Sequence, residues 1–117
     1  MLRYLVMPMV SLLLFIAPAH ADNLKVAKDV IGKQLAFLKA GNVAKLKTGF
    51  TARLQDRITA ENVKKAQKDA SGMKVDDLVA EVSAGEGSIK IKMKNKRTLT
   101  TLVKVDGKWL ADTVWFK

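Results

Sequence analysis

The apolar positions of the chain change their period midway along it. Ala27, Ile31, Leu35 and Leu38 recur at helical spacing, Val30 and Phe37 widen the stripe, and Lys25, Lys28, Lys33 and Lys39 fall mainly outside it. One apolar side and one lysine-rich side predict an amphipathic helix of about four to five turns, with Asp22-Asn23 as its cap. Gly41 stands where a helix ends in the left-handed conformation, and Asn42 can cap a second. Val43, Leu46 and Phe50 form a short apolar face that Gly49 interrupts. Leu54 and Ile58 mark a further helical turn with Thr51 as its cap. Thr59 opens another helix, with Glu61 in its first turn and Val63, Ala66 and Ala70 on one face, and Ser71-Gly72 ends it. Residues 73–84 stay open between two forms. Val75, Leu78, Val79 and Val82 fit a helix led by Asp76-Asp77, while a strand can start near Ala80.

Beyond Ser88 the period is two. Ser88–Lys94 alternates strictly, Thr98–Val105 is rich in β-branched residues, and Lys108–Phe116 reads as a closing strand. Between the last two, Asp106-Gly107 is a two-residue type I′ hairpin signal, since both central positions need positive φ. The predicted class is α+β: a long N-terminal helix plus shorter helices packed on a curved C-terminal antiparallel sheet. The hairpin puts Val105 opposite Lys108, and Leu99, Thr101, Val103, Val105, Leu110, Asp112, Val114 and Phe116 on one face. Ile89, Ile91 and Met93 join that face if the turn at Asn95-Lys96-Arg97 holds three residues, with Lys96 or Arg97 making a bulge. The opposite, outward face then carries Lys90, Lys92, Lys94, Thr98, Thr100, Leu102, Lys104, Trp109, Ala111, Thr113 and Trp115.

The first residues alter the inventory. Met1 to Ala21 carries one charge, Arg3, then a long apolar run closing on Ala19-His20-Ala21, the small-x-small pattern of a signal peptidase site. Residues 1–21 are predicted to be a cleaved secretory signal, cut between Ala21 and Asp22. The remainder, 22–117, is then a single secreted or periplasmic domain with no transmembrane segment. No cysteine follows the apolar run, so there is no lipoprotein anchor. Of 21 basic residues only Arg3 lies in the leader, and all 11 acids lie beyond it, leaving a net charge of 20 − 11 = +9. His20, Tyr4, Pro8 and Pro18 belong to the leader, so the mature domain has no Cys, His, Tyr or Pro. That excludes disulfides, zinc, haem and copper sites of the usual ligand types, and Ser-His-Asp or Cys-His catalysis. No cofactor or metal is implied. Asp76-Asp77 lacks calcium-loop spacing and suits a helix N-terminus, and Ala84–Ser88 lacks the lysine of a phosphate loop.

A long helix ending in Ala40-Gly41-Asn42, short helices, then strands closing on Asp106-Gly107-Lys108-Trp109 resemble the nuclear transport factor 2-like (cystatin-like) superfamily. The resemblance spans most of Asn23–Lys117, and the chain looks like the small exported members without assigned activity. Enzymes of that superfamily, such as ketosteroid isomerase, place an aspartate in the pocket between sheet and helices as general base. The resemblance makes Asp112 the one catalytic candidate for an isomerase- or cyclase-like reaction. No tyrosine supports it, and pairing with Arg53 or Arg57 is the simpler reading.

The favoured reading is an exported, non-catalytic binding or accessory domain. Its contact surface is expected on the outward sheet face: Lys90, Lys92, Lys94 and Lys104 around Leu102, Trp109 and Trp115. Aromatic anchors and lysine steering would serve self-association as a homodimer, or an anionic envelope component or acidic protein. Arg53, Arg57, Lys64, Lys65 and Lys68 spread further charge over the helical side, which argues against one nucleic-acid groove.

Overall fold

A computed structural model describes the backbone of residues 3–116 and the side chains of residues 22–116. The side chains of the predicted leader, 1–21, lie outside the described residues. Five helices precede four strands: α1 (Arg3–Ala40), α2 (Val43–Lys47), α3 (Ala52–Gln55), α4 (Ala60–Ala70), α5 (Val75–Leu78), β1 (Glu81–Gly85), β2 (Ser88–Lys92), β3 (Thr98–Val105) and β4 (Lys108–Ala111). The strands form an antiparallel meander in the order β1-β2-β3-β4. The class is α+β. Residues 73–84 divide between the two forms the pattern left open, with α5 first and β1 after it.

Helix ends follow local chemistry. Gly41 takes φ +72, and the N–H of Asn42 turns back to the carbonyl of Phe37, closing α1. Asn42 then accepts from the N–H of Lys45 at 3.2 Å, and Thr59 accepts from that of Asn62 at 3.2 Å to start α4. Two expected caps do not form. Asp22-Asn23 lies within α1, which runs on from Arg3, and Thr51 turns its hydroxyl away from α3 toward Asp112.

The stripe Ala27, Ile31, Leu35 and Leu38 is buried and meets Leu46, Phe50, Leu54, Ile58, Val63 and the inner face of the sheet in one core. The face of β3 and β4 turned to that core is not the expected one. The Asp106-Gly107 hairpin has its predicted register, Val105 opposite Lys108, with φ 51 and 81 at its two central residues. Between β2 and β3 the N–H of Met93 donates to the carbonyl of Arg97, which leaves three residues inside the turn, Lys94 to Lys96, one position before the expected Asn95–Arg97. Lys96 takes φ 70 there. Beyond that loop, however, Lys92 faces Thr98 while Ile91 faces Thr100, so Leu99 is an extra residue in β3. A bulge of one residue inverts every later side chain. Thr100, Leu102 and Ala111 therefore point inward and are buried, whereas Thr101, Val103, Val105 and Leu110 lie on the outer face. Val105 is 43% exposed.

Thr100 stays buried because its hydroxyl accepts from Thr113 Oγ1 at 2.7 Å. The strand predicted to reach Phe116 stops at Ala111, after which the chain bends across the core's end. Gly107, at φ 81, tests the hairpin. Gly107→Ala is expected to cost about 1–2 kcal/mol in urea-unfolding free energy, the penalty of a left-handed Cβ.

Candidate functional site: a basic groove at the end of the sheet

The seven residues expected to share an outer contact surface do not share a face. Lys90 and Lys92 lie on the outer side of β2, opposite the buried Ile89 and Ile91. Lys94 belongs to the hairpin loop, where its ammonium is 3.9 Å from Asp77. Leu102 is 0% exposed and belongs to the core, so it is no part of an outer surface. Lys104 and Trp109 are cross-strand partners on the helix side, with the ammonium 5.7 Å from the ring centroid. Trp115 also faces the helices, donating its indole N–H to Gln34 Oε1 at 2.7 Å. The bulge at Leu99 accounts for the strand residues. The bend after β4 accounts for Trp115.

A concavity lies between the short helices and residues 112–116. It has a volume of about 590 Å³ and is lined by Arg53, Leu54, Arg57, Asn62, Lys65 and the stretch Asp112, Thr113, Val114 and Phe116. Its walls are held by the backbone. The N–H of Ala111 donates to Gly49 at 2.8 Å and that of Thr51 to Ala111 at 3.0 Å. Residues 49–51 thus run parallel to β4, with Phe50 opposite Ala111. This bridge brings α3 alongside residues 112–116. Phe50 then meets Phe116 edge to face, with centroids 5.8 Å apart. The second helical wall is fixed by Asn62 Nδ2, which donates to the carbonyl of Arg57 at 2.8 Å.

Asp112 lies at the mouth of this groove instead of deep between the layers. Arg53 Nη2 is 3.0 Å from its Oδ1 and donates to its carbonyl at 2.7 Å, and the Thr51 hydroxyl donates to Oδ1 at 3.1 Å. The pairing with Arg53 is the simpler of the two sequence readings of Asp112. With side chains 62% and 37% exposed, the pair adds little stability. What it does is hold the guanidinium in place. Among the groove's lining residues Asp112 is the one acid, and neither a second acid nor a phenol stands beside it. The other cations are freer. Lys65 meets only Glu61, one helical turn away at 3.5 Å on the exposed face of α4, and among the described residues Arg57 has no carboxylate within ion-pair distance.

Two features escaped the reading of the sequence. Arg53, Arg57 and Lys65 read as diffuse charge, because nothing local shows that residues 112–116 return beside them. Gln34 is a polar residue between Ile31 and Leu38 on the buried stripe. It is 2% exposed, donates to the carbonyl of Gly49 at 2.8 Å, and accepts from Trp115. A Cβ at Gly49 would lie 2.7 Å from the Gln34 amide nitrogen, so only glycine admits that contact. Asp76 and Asp77 meet Lys28 and Lys94, at 3.5 and 3.9 Å. Among the described residues no group of three His, Cys, Asp or Glu side chains is placed to hold a metal ion, and no helix is long and apolar enough to cross a membrane.

No family model, curated protein or solved structure matches the chain.

Proposed function

We propose that this chain is an exported, non-catalytic binding domain, and that the groove between α3, α4 and residues 112–116 takes an anionic ligand. One observation carries the reading: three cations, Arg53, Arg57 and Lys65, border a concavity whose single acid is already engaged by Arg53 and Thr51. A cavity of about 590 Å³ is in the size range of small-molecule sites. Export rests on the charge, apolar run and small-residue site of residues 1–21. The kinship with the nuclear transport factor 2-like superfamily is part of the same proposal, supported by the Ala40-Gly41-Asn42 helix end and the Asp106–Trp109 hairpin. An outer-face homodimer, if formed, would use Val103, Val105 and Leu110, because those are the apolar side chains that the sheet turns away from the helices.

The competing reading makes the groove an enzyme pocket with Asp112 as general base, favoured by the presence of that carboxylate at the groove mouth. Its Oδ1 already accepts the Thr51 hydroxyl and is ion-paired with Arg53, and no tyrosine or second carboxyl stands among the lining residues to serve as the oxyanion donor used by ketosteroid isomerase. Native mass spectrometry of the protein recovered from its own compartment separates these readings. The expected species begins at Asp22 and carries an anionic adduct, which an Arg57→Gln, Lys65→Gln variant loses. An adduct retained by that variant puts the site elsewhere, and a species retaining residues 1–21 overturns the export. Asp112→Asn that abolishes a turnover without lowering the melting temperature would establish the enzyme.

A further inference from the structure

We infer that the ligand of this groove is a single-chain amphipathic anion: an alkyl chain ending in a carboxylate or phosphate. The inference rests on the binding role proposed above and adds the chemical class. The two walls of the groove differ in kind. Every cation comes from the helical wall, Arg53 and Arg57 in and after α3 and Lys65 on α4, whereas the wall formed by residues 112–116 brings Asp112, already paired with Arg53, then Thr113, Val114 and Phe116, with Phe116 and Leu54 of α3 nearly enclosed behind its surface. A polyanion would be matched by charge on both walls, and an uncharged lipid by charge on neither. One cationic wall, facing one whose single charge Arg53 already neutralises and which exposes Val114, matches a molecule that is charged at one end and apolar along its length.

The cations differ in how firmly they are held. Arg53 is pinned by two contacts to Asp112, at 3.0 and 2.7 Å, so its guanidinium is presented in a fixed orientation. Arg57 has no carboxylate within ion-pair distance among the described residues. Lys65 has an exposed, one-turn pair with Glu61 that a ligand's anionic head can displace at little cost. Arg57 and Lys65 are therefore the head-group donors, and Arg53 completes the charge at the mouth. Arginine suits this task, because its planar fork can grip carboxylate or phosphate oxygens through two hydrogen bonds. Asn62, with one amide hydrogen bond committed to Arg57's carbonyl, holds the two donor elements together. On the opposite wall, Phe116 is locked edge-on between Phe50 and Trp115, at 5.8 and 5.4 Å. That wall is therefore rigid, and an alkyl chain laid against Val114 meets a surface already in place.

The test uses methyl-labelled protein and follows Leu54 and Val114 by NMR at low salt. The probes are laurate below its micellar concentration, dodecyl maltoside, inorganic phosphate, and phosphatidylglycerol vesicles. Laurate is expected to shift both methyl groups saturably. The Arg57→Gln, Lys65→Gln variant is expected to weaken it at least about tenfold, the loss of charge-assisted hydrogen bonds. Dodecyl maltoside that binds as tightly as laurate overturns the inference, because the head charge would then be idle. Inorganic phosphate matching laurate overturns it from the other side, leaving the groove an anion site with no use for a chain. Binding to vesicles without binding to free laurate assigns a membrane surface instead. If no anion moves Leu54 or Val114, the inference and the binding role of the groove fail together.

Discussion

Phe50→Ala is expected to lower the free energy of unfolding by about 3–5 kcal/mol, the cost of truncating a fully enclosed phenylalanine. Phe50 is 0% exposed, lies opposite Ala111 in the parallel bridge, and packs edge-on against Phe116. The cavity left by the ring would open where the helical half meets the chain end through the parallel bridge. For a domain of this size the melting temperature would fall by roughly 15–30 °C. Thermal unfolding followed by circular dichroism reads the effect. Phe50→Leu keeps most of the volume and should recover more than half of the loss. A change under about 1 kcal/mol for Phe50→Ala would mean that the bridge is not closed in solution.

Gln34→Leu should cost about 2–4 kcal/mol, although it exchanges a polar side chain for an apolar one in a buried position. Two hydrogen bonds are lost at once, although the carbonyl of Gly49 keeps the N–H of Ala111. The carbonyl of Gly49 loses a donor at 2.8 Å, and the indole N–H of Trp115 loses an acceptor at 2.7 Å. Leaving a buried polar group unpaired costs roughly 1–3 kcal/mol. The branched leucine must also fit where the flat amide now lies over Gly49. A double-mutant cycle isolates the indole contact. In a Trp115→Phe background, which has no N–H to orphan, Gln34→Leu should cost less by about 1 kcal/mol. Equal costs in both backgrounds would show that the hydrogen bond to Trp115 contributes nothing.

Local physics made the elements legible and left the faces hidden. The stripe of α1, the Gly41 terminus, the caps at Asn42 and Thr59 and the Asp106-Gly107 turn depend on neighbours in sequence, and each is where its residues predict it. The length of the loop after β2 was legible too. What inverted the outer and inner faces was one extra residue, Leu99. Its side chain is as apolar as those beside it, and nothing in Thr98-Leu99-Thr100 marks which residue lacks a partner. The contact surface built on Trp109 and Trp115 depended on that parity. The pairing of Asp112 with Arg53 survived because it needs only proximity at the groove mouth. The groove itself was illegible, since its walls are far apart in sequence: Thr51 and Asp112, which join them, are separated by 61 positions.

That separation bears on the order in which a nascent chain can acquire its structure. Gln34 waits for Trp115, 81 positions later, and Thr51 waits for Asp112. The four strands, by contrast, each pair with the strand just made, so the meander can assemble through nearby segments as it emerges. The helices pack on one another, α1 against α2, α4 and α5, but the side that meets residues 111–116 stays unclosed until that stretch is synthesised. Closure of long loops comes late because its entropic cost precedes any reward. Residues 111–116 therefore act as the latch of the helical side.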